Sequence, residues 1–277
     1  MEFVTVGNAG NIADTTGYGA VGYNYRIDKY EVTNAQWNTF VSLAGAPTGN
    51  PSNAYDSSSP FTGDQKPTTN VSLCEAAQFC NYLTSGDKSL GAYQLGTDGS
   101  VTTDRAAAVS AYGTAYVIPT PDEWYKAAYH KNDGVTGNYW LYPTQLDVAP
   151  SNILSDPDPS NSANFYIIGS GYTVGSPDYV TDVGAFENSD SAYGTFDQGG
   201  NVWEWTETVY FESYYYIRGG SYGSVAAGLC ASYSNNYYVL YNELDGLGFR
   251  VVAIPEPASA AIMTLAGLFI ALKRRKR

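Results

Sequence analysis

The chain has 277 residues, of which 44% are hydrophobic, so it is long enough to bury a sizeable core and too apolar to be a disordered chain. Its formal net charge of −13 excludes nucleic acid as a natural partner, because phosphate binding requires clustered Lys and Arg, and it favours cations instead. The 26 tyrosines and 29 glycines are typical of a loop-rich domain packed by aromatic rings.

Three segments carry the signature of a helix N-terminus, in which a Ser or Thr is followed three residues later by Glu or Gln. They start at Thr33, Ser72 and Thr120. Apolar residues at helical spacing follow each of them. We therefore predict three short helices, with a strand over residues 23–32 in front of the first.

The segment from residue 134 to residue 182 is mostly turn-forming sequence, and ordered loops of that length usually carry function or need a staple such as a bound metal. Two further strands are predicted over residues 217–221 and 248–252, each entered through glycine. Short helices set among strands and long loops predict an α+β fold, with a small sheet and helices packed outside it.

Residues 193–207 combine glycines, tryptophans and acids in one short stretch. Trp203 and Trp205 would point to one face of an extended segment, and Glu204 would point to the other. Asp197 and Glu204 flank a glycine-rich bend, and carboxylates together with free carbonyls are the ligands that Ca²⁺ prefers. The alternative is a glycine turn with solvated acids beside a tryptophan core.

Five motifs follow one another along the chain. They are YEVTN at residues 30–34, PTPDEW at 119–124, GNVWEW at 200–205, RGGS at 218–221 and GFR at 248–250. Together they resemble the formylglycine-generating enzyme family, also called the sulfatase-modifying factor domain, over roughly residues 3–253. The resemblance implies one domain, residues 1–253, with a C-type-lectin-like fold that is loop-rich and has short helices around small antiparallel sheets. It also implies relatives that only bind ligands, such as the variable proteins of diversity-generating retroelements.

The same resemblance implies two calcium sites. The first set of ligands is Asn164, the Phe165 carbonyl, Asp178 and the Val180 carbonyl. The second set is Asp197, the Gly200 and Val202 carbonyls and Glu204. Both sets consist of oxygen, as Ca²⁺ requires, so we expect at least one of them to hold a structural calcium ion.

The catalytic positions depart from the family's oxidase. The resemblance implies two copper-binding cysteines five residues apart, but Ser224 and Leu229 stand at those positions, and Cys230 is one residue out of register. A single thiol does not make a two-thiolate copper site, so neither copper nor formylglycine generation is expected. No catalytic residue is predicted, and whether the chain is an enzyme stays open. The alternative function is an oxidoreductase of this superfamily that acts through an unrecognised site.

Other residues with metal or redox chemistry give no further site. The sulfoxide synthases of ergothioneine biosynthesis, which this domain resembles, hold iron with several histidines, whereas this chain has one. His130 follows the third predicted helix, where a cation suits the helix dipole, so we expect an exposed cap residue. Cys74 and Cys80 lie on one predicted helix, too far apart for a disulfide, and fit small buried positions.

Tyrosines crowd the region where the oxidase would have its active site. Between residues 210 and 241 they are interleaved with Ser, Gly and Asn, a composition typical of adaptable recognition surfaces. We predict ligand binding by Tyr233, Tyr237, Tyr238 and Tyr241, with a glycan or a protein as the ligand. The alternative is that most of these rings pack the domain.

Residues 254–277 resemble the PEP-CTERM sorting signal of Gram-negative bacteria, with a Pro-Glu-Pro break, an apolar run over 258–272 and a basic end. The resemblance implies an exported protein that the tail anchors transiently in the cytoplasmic membrane. It also implies release to the cell envelope or exterior by an exosortase that cuts near the Pro-Glu-Pro. The apolar run is short for a membrane span, and snorkelling basic residues would extend it. The sequence begins without a secretory signal, so we expect one encoded upstream of Met1.

These features predict an exported, cell-surface or envelope protein with a calcium-stabilised domain that binds a ligand or has a structural role. The expected partners are the exosortase sorting machinery, the cytoplasmic membrane through the tail, and a glycan or protein ligand.

Overall fold

The computed structural model describes residues 1–233 and 236–255. Within them the chain forms four α-helices, which are α1 Asn34–Ala44, α2 Leu73–Ser85, α3 Arg105–Tyr112 and α4 Pro121–Tyr129. Two short 3₁₀ helices cover Ser52–Ala54 and Ala226–Leu229. Most of the predicted sorting tail, residues 256–277, lies outside the described residues.

The three predicted helices are confirmed, and each begins with the predicted capping box. The side chain of each N-cap accepts a hydrogen bond from the backbone three residues on, and that residue's side chain accepts one from the N-cap backbone. Helix α3 was not predicted, because its start lacks a capping box. Asp104 caps it alone, and Arg105 ties it to the rest of the domain by ion pairs with Glu123 and Glu207.

The strands are short. They are β1 Phe3–Val6, β2 Tyr25–Asp28, β3 Tyr93–Leu95, β4 Val101–Thr103, β5 Thr114–Val117, β6 Tyr166–Ile167, β7 Gly171–Tyr172, β8 Trp203–Phe211, β9 Tyr214–Arg218, β10 Tyr237–Val239, β11 Leu247–Gly248 and β12 Val252–Pro255. The first four-stranded sheet has the order β1-β2-β12-β5 and is antiparallel throughout. The second has the order β10-β9-β8-β11, in which only β11 runs parallel to its neighbour. This α+β arrangement of helices around small sheets agrees with the prediction.

The predicted strands were correctly located but wrong in their bounds. The strand expected over 217–221 ends at Arg218, because Gly219 and Gly220 adopt φ values of +99° and +80° that leave the β region. The strand expected over 248–252 is instead divided between β11 and β12. Strand β12 continues to Pro255 against β5, two residues beyond the predicted domain boundary at 253.

The main core joins α1 and α2 to both four-stranded sheets. Trp37 stacks on Phe79 with ring centroids 5.9 Å apart, and the ring of Phe249 meets both of them edge-on. Cys74 and Cys80 are free and buried, as predicted. Within the described residues, no helix is both long and apolar enough to cross a membrane. Helix α4 packs against β8 and β9. This packing brings the motif at 119–124 close to the motifs at 200–205 and 218–221.

Candidate functional site

Glu204, the second residue of β8, is held in a fully buried ion pair. Arg250 donates from Nε to one carboxylate oxygen at 2.6 Å and from Nη2 to the other at 2.7 Å. The indole N–H of Trp124 on α4 donates to the same carboxylate at 2.7 Å. Both charged side chains are 0% exposed, so the alternative of solvated acids is wrong for Glu204. Such a buried pair strongly penalises removal of either partner.

Three more carboxyl groups lie within electrostatic reach of this pair. Burial raises the pKa of Asp28 to about 8, although the neighbouring Arg250 opposes the shift. Burial also raises the pKa of Glu31 well above its usual value, with Asp197 and Glu204 adding to the shift. Burial raises the pKa of Asp197 to about 6. These four acids, which we call the buried carboxylate cluster, carry more negative charge than Arg250 neutralises, and the surplus favours bound protons or a bound cation.

In the second set, two carbonyls and one carboxylate oxygen have no donor among the described residues, whereas both Glu204 oxygens are already hydrogen-bonded. The carbonyls of Gly200 and Val202 accept no hydrogen bond from any residue that the structure describes. One oxygen of Asp197 accepts the Gly184 N–H at 2.6 Å, which leaves the other available. Gly200 has φ +96°, and a Cβ there would collide with the Asn164 carbonyl, so glycine is required at this bend. The residues of the second set therefore fit a calcium ion.

Side chains alone do not form a metal site in this molecule. Among the described residues, no group of three or more His, Cys, Asp or Glu side chains is placed to hold a metal ion. An ion at the second set would depend on the carbonyls of Gly200 and Val202 as much as on Asp197 and Glu204.

The first set is arranged differently, because protein donors already occupy two of its oxygens. The Phe165 carbonyl accepts hydrogen bonds from Asn152 at 3.0 Å and from Thr173 at 3.3 Å. The Val180 carbonyl accepts one from the Lys66 ammonium at 3.0 Å. The Thr173 hydroxyl has one proton, for which the Ala163 carbonyl at 3.4 Å competes, so Asn152 alone holds a lone pair of the Phe165 oxygen exclusively.

The two side chains of the first set lie in contrasting surroundings. Asn164 is 1% exposed, and its amide N–H groups donate to the Tyr179 carbonyl and to the Asn201 side chain, both at 3.0 Å. The Asn164 Oδ1 atom is buried with no hydrogen-bond partner among the described residues. Asp178 is exposed. The set therefore offers one orphaned amide oxygen rather than four converging ligands.

Sequence reasoning missed three charged residues around these sets. Glu31 accepts hydrogen bonds from the Asn201 amide at 2.7 Å and from the Val202 N–H at 3.2 Å. Glu31 and Arg250 lie in the motifs at 30–34 and 248–250, so their place in those motifs was the available signal. Lys66 gave no signal, because its contact with the first set joins residues 114 positions apart.

Ser224 and Leu229, which have no thiol, stand at the positions where the resemblance implies the two cysteines of the oxidase. The Ser224 hydroxyl accepts the Ser221 N–H at 3.0 Å, and Leu229 is fully buried. The Cys230 thiol is partly exposed and contacts the Ala227 carbonyl at 3.0 Å and the Ser232 hydroxyl at 3.2 Å. Cys230 therefore has no second thiol beside it among the described residues.

Three exposed tyrosines and the half-buried Tyr216 form a group of contacting rings on β8, β9 and β10. Tyr210 and Tyr237 stack with centroids 4.3 Å apart and an angle of 13°. Tyr214 meets Tyr237 edge-on, and Tyr216 meets Tyr210 at 5.2 Å. We call these four residues the tyrosine face. It adjoins an open cleft of about 440 Å³, to which Tyr216 contributes a wall.

The four tyrosines predicted to bind a ligand are all exposed but do not share one surface. Tyr237 belongs to the tyrosine face, whereas strand alternation directs Tyr238 to the other side of β10. The ring of Tyr233 lies 6.1 Å from that of Trp203. Tyr241 follows β10 and is 37% exposed. The structure thus joins Tyr237 to Tyr210, Tyr214 and Tyr216, which the sequence did not single out.

His130 is the C-cap residue of α4, as predicted, but the prediction that it is exposed is wrong. Its side chain is fully buried, because the chain folds back and places Tyr139 beside it in a β-bridge. Nδ1 accepts a hydrogen bond from the Asn132 N–H at 3.1 Å and lies 2.8 Å from the Tyr193 hydroxyl, and Nε2 lies 3.2 Å from the Thr136 carbonyl. Burial lowers the pKa of His130, which therefore has a structural role as a neutral ring.

The fold and the buried motifs define a domain of the sulfatase-modifying factor type. Residues 18–254 match the family described as the sulfatase-modifying factor enzyme 1-like domain, and the chain belongs to this family. No curated protein sequence matches it.

Three solved structures share its fold. CarF is 21% identical with a TM-score of 0.63, and the match covers 92% of this chain and 98% of CarF. Treponema denticola variable protein 1 is 18% identical with a TM-score of 0.56, covering 91% and 95% of the two chains. PvdO from Pseudomonas aeruginosa is 16% identical with a TM-score of 0.52, covering 91% and 92%. At these identities the likeness concerns the fold alone.

Proposed function

We propose that this chain is an exported, cell-surface or envelope protein whose calcium-stabilised domain binds a ligand, with a C-type-lectin-like framework that presents the binding surface. The observation that carries this proposal is the tyrosine face beside an open cleft. Tyrosine rings give rigid contact area and a hydroxyl at low entropic cost, and exposed rings in a group favour recognition. The face lies on hydrogen-bonded strands, which hold it in a fixed shape.

The ligand is a glycan or a protein surface, both of which stack well on exposed aromatic rings. The face and cleft are lined by hydroxyl-bearing residues such as Tyr23, Thr208 and Tyr216, which suit polar ligands. The similarity to a Treponema denticola variable protein supports a recognition role by analogy.

Oxidation of a cysteine substrate through copper is not part of this proposal. The two-thiolate site would need cysteines where Ser224 and Leu229 stand, and soft Cu(I) selects sulfur ligands. The partly exposed Cys230 offers one thiol only. Formylglycine produced from a cysteine-containing peptide by the purified chain would overturn this part of the proposal.

The proposed calcium ion is held by the second set. Asp197, Glu204 and the carbonyls of Gly200 and Val202 would be its ligands, and Glu31 would add negative charge next to them. When bound, the ion supplies the positive charge that the buried carboxylate cluster otherwise takes up as protons. Its role is structural, because it would fix the bend between Phe196 and β8 on which the motif depends.

Export and surface sorting are proposed from the tail sequence. Residues 254–277 would anchor the chain transiently in the cytoplasmic membrane before an exosortase cuts near the Pro-Glu-Pro. Expression in a host with an exosortase is expected to give a shortened, surface-located product, provided that a signal peptide is present. Retention of the full-length chain in such a host would contradict this assignment.

The binding proposal is tested on glycan and peptide arrays with the full chain. We expect the triple replacement of Tyr210, Tyr214 and Tyr237 by alanine to weaken binding at least about tenfold, and Tyr237→Ala alone to act in the same direction. The matched control is Tyr112→Ala, since Tyr112 on α3 is 44% exposed but lies outside the tyrosine face. Binding that survives all these replacements would remove the proposal. Copper or iron retained through purification, together with oxygen consumption, would favour the enzyme alternative.

A further inference from the structure

The loop before α2 brings a lysine into the first set. The Lys66 ammonium lies 3.0 Å from the Val180 carbonyl and 3.2 Å from the Asp182 carboxylate. Backbone hydrogen bonds fix the loop there, because the Val183 N–H donates to the Gln65 carbonyl at 2.9 Å. The side chain of Lys66 is only 19% exposed. A positive charge therefore lies against one oxygen of the first set, the Val180 carbonyl.

The rest of the first set is consistent with a site that needs no ion. Asn152 holds one lone pair of the Phe165 carbonyl, and the single Thr173 proton is shared between this carbonyl and that of Ala163. An ion bound to the Val180 carbonyl would lie close to the Lys66 ammonium, and like charges sharing one oxygen repel each other. While Lys66 holds the Val180 carbonyl, the set offers an ion Asn164 Oδ1, the exposed Asp178 carboxylate and part of the Phe165 oxygen, fewer than the six to eight ligands that Ca²⁺ takes.

We propose that the Lys66 ammonium replaces calcium at the first set, so that this chain binds a single calcium ion, at the second set. The ammonium satisfies the Val180 carbonyl and joins it to Asp182, which ties the segment around residue 180 to the loop before α2. The single-ion stoichiometry rests on the calcium proposed for the second set. The role of Lys66 does not, because it depends only on contacts at the first set.

Calorimetric titration of the full chain with calcium tests this proposal. We expect one ion per chain in the wild type, none in Asp197→Asn, and two in Lys66→Met, with the added ion lost again in Lys66→Met/Asp178→Asn. The matched control is Lys88→Met, because the Lys88 ammonium also donates to backbone carbonyls, those of Gly45 and Ala46, away from both sets. It should bind one ion, like the wild type.

Two ions in the wild type, or loss of its single ion in Asp178→Asn, would overturn the proposal, and so would a Lys66→Met variant that gains no ion. If Lys66→Met does not fold, Lys66→Gln is the second variant, because it keeps an N–H donor without the charge. Lys66→Gln is expected to bind the added ion at least about tenfold more tightly than the wild type binds any second ion. If Lys66→Gln shows no such gain, the proposal is overturned. A wild type that binds no calcium would refute the ion at the second set alone, and the gain of one ion in Lys66→Met would still support the role of Lys66.

Discussion

The two predicted calcium sets consist of the same kinds of oxygen ligand in the sequence, but the folded chain leaves different oxygens without hydrogen-bond partners. In the second set the carbonyls of Gly200 and Val202 accept no hydrogen bond within the part of the chain that the structure describes, and burial raises the pKa of the nearby Asp197 and Glu31. In the first set, side-chain amide, hydroxyl and ammonium donors already occupy the carbonyls. A ligand set is therefore defined by which oxygens lack other partners as much as by their spacing along the chain.

Helix α2 contains a buried carboxyl group that has no ion-pair partner among the described residues. Glu75, in the first turn of α2, is 5% exposed, and burial raises its pKa to about 8, with Glu243 adding to the shift. No lysine or arginine pairs with it in the described chain. The fold thus meets buried negative charge with an ion pair at Glu204, whereas at Glu75 burial favours the protonated carboxyl.

The largest effect is expected at the second set. Glu204→Gln should lower the free energy of unfolding by about 3–5 kcal/mol, because it removes the one carboxylate that is hydrogen-bonded to the buried Arg250 guanidinium. Asp178→Asn at the first set should cost less than about 0.5 kcal/mol, because Asp178 is exposed. Urea unfolding in saturating calcium measures both. Equal costs would show that the two sets do not differ as described.

Removal of calcium should cause the second-largest loss of stability. A ligand at one hundred times its Kd stabilises the folded state by about 2.7 kcal/mol, so a chelator should lower the Tm by roughly 5–10 °C. Asp197→Asn should abolish this response, whereas Asp178→Asn should preserve it. Scanning calorimetry with and without chelator is the measurement. A wild-type Tm that chelator leaves unchanged would contradict the proposed calcium ion.

The pH dependence of stability should reveal the carboxyl that relies on a proton. The pKa of Glu75 in the folded chain, about 8, lies above its unfolded value of 4.5. Its contribution is therefore complete below pH 4.5 and is lost as the pH rises through 8. Glu75→Gln keeps the capping box, as Gln36 does in α1, and should reduce the loss of stability between pH 5 and 8 by about 2 kcal/mol. Parallel pH curves for variant and wild type would count against the protonated carboxyl.

The smallest effect on stability is expected on the tyrosine face. Tyr237→Ala should cost about 1 kcal/mol or less, because the ring is exposed and loses mainly its stacking on Tyr210. A double-mutant cycle with Tyr210→Ala should give a coupling of about 0.5–1.5 kcal/mol. A cost above about 3 kcal/mol would mean that the ring packs the domain, as the alternative interpretation of these tyrosines held.

The sequence predicted more of the fold than of the site. Capping boxes located α1, α2 and α4, since a helix start depends on residues three positions apart. Helix α3 escaped because Asp104 alone caps it and its anchoring ion pairs reach Glu123 and Glu207 elsewhere in the chain. His130 was wrongly placed at the surface because the segment that covers it folds back from further along the chain.

By itself, the sequence determined the family motifs, the helix starts and the lack of cysteines at positions 224 and 229, all of which are local properties of the chain. Only the tertiary structure decided which acids are buried, which tyrosines share a surface and which oxygens are already bonded. The physical reason is that burial and hydrogen-bond saturation depend on neighbours brought together from distant parts of the chain, as Lys66 and Val180 are.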